Sequence, residues 1–99
     1  MTAQLDLSFT QKQLLLQLLQ QFLPGIAVWA FGSRVKGCAR PASDLDLVIF
    51  APASQRAQVS ALREALEESL LPFRVDLLIW DEIPENFKSH IQAQYIALV

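Results

Sequence analysis

Two hydrophobic rhythms alternate along this chain. Across residues 10–23, Leu14, Leu15, Leu18, Leu19 and Phe22 recur at three- and four-residue spacing, which predicts an amphipathic helix. Ser8 with Gln11 and Thr10 with Gln13 each fit a capping box at its start, and Pro24 with Gly25 stops it. Residues 26–31, IAVWAF, form a continuous apolar run with a β-branched and aromatic bias, which predicts a buried strand. Residues 32–43 are polar and punctuated by Gly37 and Pro41, so they read as a loop. Residues 45–50, LDLVIF, read as a second strand stopped by Pro52. A second helix is expected over residues 54–70, with Ser54 as N-cap. Val59, Leu62, Leu66 and Leu70 make its inner stripe, and Arg63, Glu64, Glu67 and Glu68 its wet side. Residues 73–80, FRVDLLIW, predict a third strand. Residues 84–98 predict a last helix with Phe87, Ile91 and Tyr95 turned inward. The order α-β-β-α-β-α predicts an α/β (α+β) fold, a small mixed β-sheet with helices packed on it.

With 99 residues, a single domain spanning residues 1–99 is expected. The composition, 53% hydrophobic and 18% charged, suits a packed domain and excludes a disordered chain. No apolar run approaches the ~20 residues that span a bilayer. The first residues lack the basic region and apolar core of a signal peptide, so a cytoplasmic location is expected. A net charge of −2 argues against stable nucleic-acid binding through phosphates, although Arg34, Lys36 and Arg40 can form a local basic cluster. Cys38 is the only cysteine, which excludes an internal disulfide and a thiolate-rich metal site. We read it as a simple half-buried or exposed thiol, and His90, the only histidine, as a helix-face residue. A chain this small cannot hide all its apolar side chains. A leftover patch suggests a protein partner.

Three polar features interrupt the apolar segments. Gly32-Ser33 follows the first strand and opens a short turn. Free backbone N–H groups there, at the positive end of a helix, suit a phosphate, and glycine permits close approach. Taken alone, the pair is better explained as a plain turn with Ser33 as N-cap. Asp44 and Asp46 open the second strand. Alternation puts both on one face, with Cα atoms about 6.6 Å apart at roughly 3.3 Å per residue. Two such carboxylates can converge on Mg²⁺, which prefers oxygen ligands. Asp76 lies inside the third strand, where aspartate is depleted. It needs a metal, a basic partner such as Arg74 or Arg63, or exposure on an open face. Paired beside the second strand, Asp76 would join Asp44 and Asp46 in a two-metal site for phosphoryl chemistry.

Gly32-Ser33, ten residues, then Asp44-Leu45-Asp46 resembles the GS-x10-DxD signature of the minimal nucleotidyltransferase family, within the DNA polymerase β-like superfamily. Asp76, after an intervening helix, matches that family's third carboxylate. The resemblance covers nearly the whole chain. One position departs from the pattern: Lys36 stands where arginine is expected, which bears on triphosphate affinity. The resemblance implies a Mg²⁺-dependent enzyme with ATP as nucleotide donor. Gly32, Ser33, Arg34 and Lys36 would bind the nucleotide, and Asp44, Asp46 and Asp76 would be both catalytic residues and metal ligands. It also implies a HEPN-domain toxin as partner and acceptor, in a homodimer or hetero-oligomer, with AMP attachment as the antitoxin activity. A non-catalytic subunit that binds its HEPN partner stoichiometrically is the alternative reading.

Overall fold

The computed structural model describes residues 5–37 and 39–99. The thiol of Cys38 therefore lies outside the described residues. Among the described residues, four α-helices and four strands follow in the order α1 (Phe9–Phe22), β1 (Val28–Phe31), α2 (Ser33–Lys36), β2 (Leu45–Ile49), α3 (Arg56–Glu67), β3 (Val75–Ile79), α4 (Glu85–Ala93) and β4 (Ile96–Ala97). The strands form one mixed sheet in the order β3-β2-β1-β4. β1 is antiparallel to both β2 and β4, whereas β2 and β3 are parallel. That parallel pairing requires a crossover, which α3 supplies.

Alternation divides the strands between two cores. Val28, Ala30, Leu45, Leu47, Ile49 and Leu77 face α1 and α3, where Leu15, Leu19, Val59 and Leu62 are buried against them. Burying each large apolar side chain is worth about 1.5–3 kcal/mol, so this layer dominates the stability. The opposite face carries Phe31 and Val48, packed with Ile83 and with Ile91 of α4. Trp29, Phe50, Leu78 and Trp80 extend that cluster. Tyr95 stacks on Trp29 with ring centroids 3.8 Å apart.

The expected mixed sheet with packed helices is present, and several ends differ. The Ser8–Gln11 capping box forms, but Thr10 lies within the helix and caps nothing. Ser54 falls in a single 3₁₀ turn rather than at an N-cap, and α3 begins at Arg56. α3 ends at Glu67, so Leu70, expected on the inner stripe, is 93% exposed. The Leu66 carbonyl is taken by Ser69 through both its amide and its hydroxyl, which turns the chain before Leu70. The last helix stops at Ala93, and Ile96 and Ala97 add a short strand beside β1. Backbone pairing to an open strand edge competes there with helix continuation, and no periodicity reports it. Phe87 and Tyr95 are each 39% exposed rather than turned fully inward. No helix among the described residues is long and apolar enough to cross a membrane.

Candidate active site

β1 ends at Phe31 and the chain turns sharply at Gly32, whose φ of 83° and ψ of −156° lie where only glycine is comfortable. The amides of Val35 and Lys36 return to the Gly32 carbonyl at 3.0 and 3.1 Å, winding α2 into one turn. Gly37, at φ 78°, closes it in the left-handed conformation, with its amide on the Ser33 carbonyl.

The strand registers gather the acids here. Phe31 pairs with Asp46 across β1 and β2, and Asp46 pairs with Asp76 across β2 and β3. Phe31, Asp46 and Asp76 thus form one row on a single face. Gly32, the next residue after that row, lies directly against Asp46: a Cβ at Gly32 would run into Asp46 Oδ2. The glycine is therefore required twice, by its backbone angles and by the carboxylate beside it.

Asp44 sits exposed at the entrance to β2, and Asp46 is half-buried. Burial, and then the negative charges of Asp76 and Asp44, hold the Asp46 carboxyl above the usual aspartate range. Among the described residues no lysine or arginine forms an ion pair with Asp44 or Asp46. Asp76 pairs with Arg74, Nε to Oδ1 at 3.1 Å, one of the partners expected for it. Arg74 is well exposed and Asp76 partly so, and such a surface pair is worth about 0–1 kcal/mol. Arg63 instead donates to the Leu77 carbonyl at 3.3 Å. No group of three metal-ligating side chains is preassembled among the described residues. The donor set nonetheless fits a hard divalent cation: carboxylate oxygens only, mutually repelling, the central one uncompensated.

Two cavities flank the row. One, of about 640 Å³, is bounded by Asp46 and Asp76 together with Arg63, Glu67 and Arg74. The other, of about 410 Å³, is bounded by Gly32 and Lys36 with His90, Ile91 and Gln94 of α4. Phe31 and Phe87, ring centroids 6.0 Å apart, line both. The contributions of Phe87, His90 and Gln94 escaped sequence reasoning. Helical periodicity gives α4 a face but not the strand that it crosses.

Arg34, expected as a phosphate ligand, points elsewhere in the structure. It is 4% exposed. Its guanidinium is spent on main-chain carbonyls: Nε on Ser43 at 3.0 Å, Nη1 on Asp6 at 2.9 Å, and Nη2 on Pro41 and Arg40 at 3.0 and 3.4 Å. Gly32 and Lys36 do border the cavity on that side, and Lys36 is exposed.

Residues 12–98 match the model of the nucleotidyltransferase domain family. The chain is 45% identical over 98 residues to a Haemophilus influenzae protein described as "Probable protein adenylyltransferase MntA", covering 97% of this chain and 85% of that one. Among solved structures, one described as a toxin-antitoxin with AMP-PNP aligns with a TM-score of 0.69 at 20% identity, over 89% of this chain and 72% of that chain. Another, described as tri-AMPylated Shewanella oneidensis HEPN toxin in complex with MNT antitoxin, aligns with a TM-score of 0.53 at 17% identity, over 89% and 68%. At these identities the two structures speak to the fold.

Proposed function

The chain belongs to the nucleotidyltransferase domain family, and from that premise we propose that it is an adenylyltransferase acting on a HEPN-domain partner. It moves AMP from ATP to a partner hydroxyl and so serves as an antitoxin. The observation that carries the reading is the Gly32–Asp46 contact, with Asp76 in register on the same face. It sets a turn suited to phosphate directly against carboxylates suited to a cation.

The turn at Gly32 and Ser33 would receive the β- and γ-phosphates, with Lys36 adding charge from the exposed side of α2. Asp44, Asp46 and Asp76 would hold Mg²⁺. When bound, Mg²⁺ supplies charge stabilisation at the entering and leaving oxygens. The acceptor oxygen bonds to the α-phosphorus, the bond to the bridging α–β oxygen breaks, and pyrophosphate leaves. The acceptor proton passes to the Asp76 carboxylate. Most of the rate enhancement comes from positioning and electrostatics. The H. influenzae relative is described as a protein adenylyltransferase, and a similarly folded antitoxin occurs in complex with an AMPylated HEPN toxin. Both support ATP as donor and a protein as acceptor. Dependence on ATP also suits the cytoplasm.

The test is a transfer assay with α-labelled ATP and Mg²⁺ in the presence of the co-purifying partner. Label should appear on the partner with the native chain and be lost with Asp44→Asn or Asp46→Asn, both of which should stay folded. Full labelling by either variant refutes the site. A stable unlabelled complex refutes the activity.

A further inference from the structure

We infer that Arg34 is a positioning residue: it fixes Asp44, a cation ligand in the reading above, relative to the phosphate-binding turn. The inference rests on that reading for its functional meaning and on geometry for its substance. Arg34 belongs to α2, the same single turn that begins at Gly32. Its guanidinium reaches across to residues 40–43, the segment just before Asp44. That segment is closed on itself, with the Ser43 amide on the Arg40 carbonyl at 2.9 Å and the Arg40 amide on Ser43 Oγ at 2.8 Å. Arg34 grips this closed turn through the carbonyls of Ser43, Pro41 and Arg40.

Asp44 therefore sits between two anchored peptide groups. On one side the Ser43 carbonyl accepts from Arg34 Nε at 3.0 Å. On the other, the Leu45 amide donates to the Arg74 carbonyl at 2.8 Å. The guanidinium carbon also lies 4.0 Å from the centroid of the Phe73 ring, next in chain to Arg74. The N-terminal segment joins the same knot: Arg34 Nη1 donates to the Asp6 carbonyl at 2.9 Å, and the Asp6 amide donates to the Arg34 carbonyl at 2.7 Å.

No carboxylate pairs with this buried cation among the described residues. Its charge is solvated by carbonyl dipoles, an arrangement that needs a planar fork of donors. Lysine keeps the charge but not the fork. A phosphate contact and a positioning role therefore predict opposite behaviour for Arg34→Lys. A point charge preserves much of a phosphate contact and little of a four-carbonyl clamp.

The experiment compares the full native chain with Arg34→Lys and Arg34→Gln by amide exchange, by Mn²⁺ titration followed by electron paramagnetic resonance, and by steady-state transfer. Both variants should exchange the Ser43 and Leu45 amides at least about tenfold faster. The Mn²⁺ concentration for half-occupancy should rise by about 10–100-fold, as when a metal ligand's support is removed. KM for ATP at saturating metal should change by less than about threefold. Unchanged exchange at Ser43 and Leu45 overturns the inference. So does a large rise in KM for ATP with Mn²⁺ binding unchanged, which would restore the phosphate role. If neither variant folds, Phe73→Leu removes the ring beneath the guanidinium and should move exchange in the same direction by about two- to threefold; no movement there overturns the inference. Exchange is read without turnover or metal. Failure of the native chain to bind Mn²⁺ would count against the proposed activity, while exchange would still decide the role of Arg34.

Discussion

Gly32→Ala should cost both stability and activity, for separable reasons. The native angles, φ 83° and ψ −156°, belong to a region that costs a non-glycine residue about 1–3 kcal/mol. The added methyl would also run into Asp46 Oδ2 and approach its Cγ to 3.2 Å. Turning that carboxylate off its rotamer costs about 0.5–1.5 kcal/mol. Together the penalty is about 1.5–4.5 kcal/mol, below the ~5–15 kcal/mol that stabilises a domain of this kind. Urea unfolding should therefore find a folded but weakened protein. Transfer should fall about a hundredfold, because Asp46 is displaced. Adding Asp46→Ala removes the carboxylate and leaves only an ordinary 3.5 Å contact with its Cβ. The double variant should then be more stable than the sum of the single effects by about 0.5–1.5 kcal/mol. Strict additivity would refute the steric argument. A Gly32→Ala protein within about 0.5 kcal/mol of native would refute the conformational one as well.

Two further outcomes follow from the charges at the site. The Asp46 carboxyl is raised by burial and by Asp76 and Asp44, so the folded state holds its proton more tightly than the unfolded state does. Its contribution to metal-free stability is complete below the unfolded pKa and is lost as pH rises through the folded one. Melting measured without metal should decline over that window. Asp46→Asn should melt higher than native at neutral pH and respond less to Mg²⁺; a lower melting temperature contradicts the cause assigned to the shift. Lys36→Ala should raise KM for ATP by about five- to tenfold, about 1 kcal/mol, with kcat little changed, and an unaltered KM would remove Lys36 from the site.

The central architecture is readable because it depends on pattern. β1, β2 and β3 are apolar runs whose alternation fixes two faces, and the aspartates stand out because they break those runs. Asp46 and Asp76 were expected on one face, and the parallel register places them side by side. Arg34 was not readable. An arginine after Gly-Ser looks like a phosphate ligand, and only the fold of residues 40–43 and the approach of Asp6 reveal that its donors are already engaged. β4 was missed because two residues completing a sheet edge carry no periodicity. Leu70 misled because its helical spacing continues past the point where Ser69 turns the chain. In each case the deciding interaction is between segments distant in sequence or hinges on one local hydrogen bond.

Among the described residues β3 lies at the rim of the sheet, bonded on one side only, to β2, while β1 and β2 occupy the middle. Rim strands open at lower free energy than central ones. Gly32, Asp44 and Asp46 hang from the two central strands, and Asp76 from the rim. A fluctuation that frees β3 therefore withdraws one carboxylate and releases the Leu45 amide beside Asp44, while the glycine turn and Asp46 stay on the central strands. In the proposed reading, holding a nucleotide and completing the reaction would therefore depend on pieces of chain with different lifetimes.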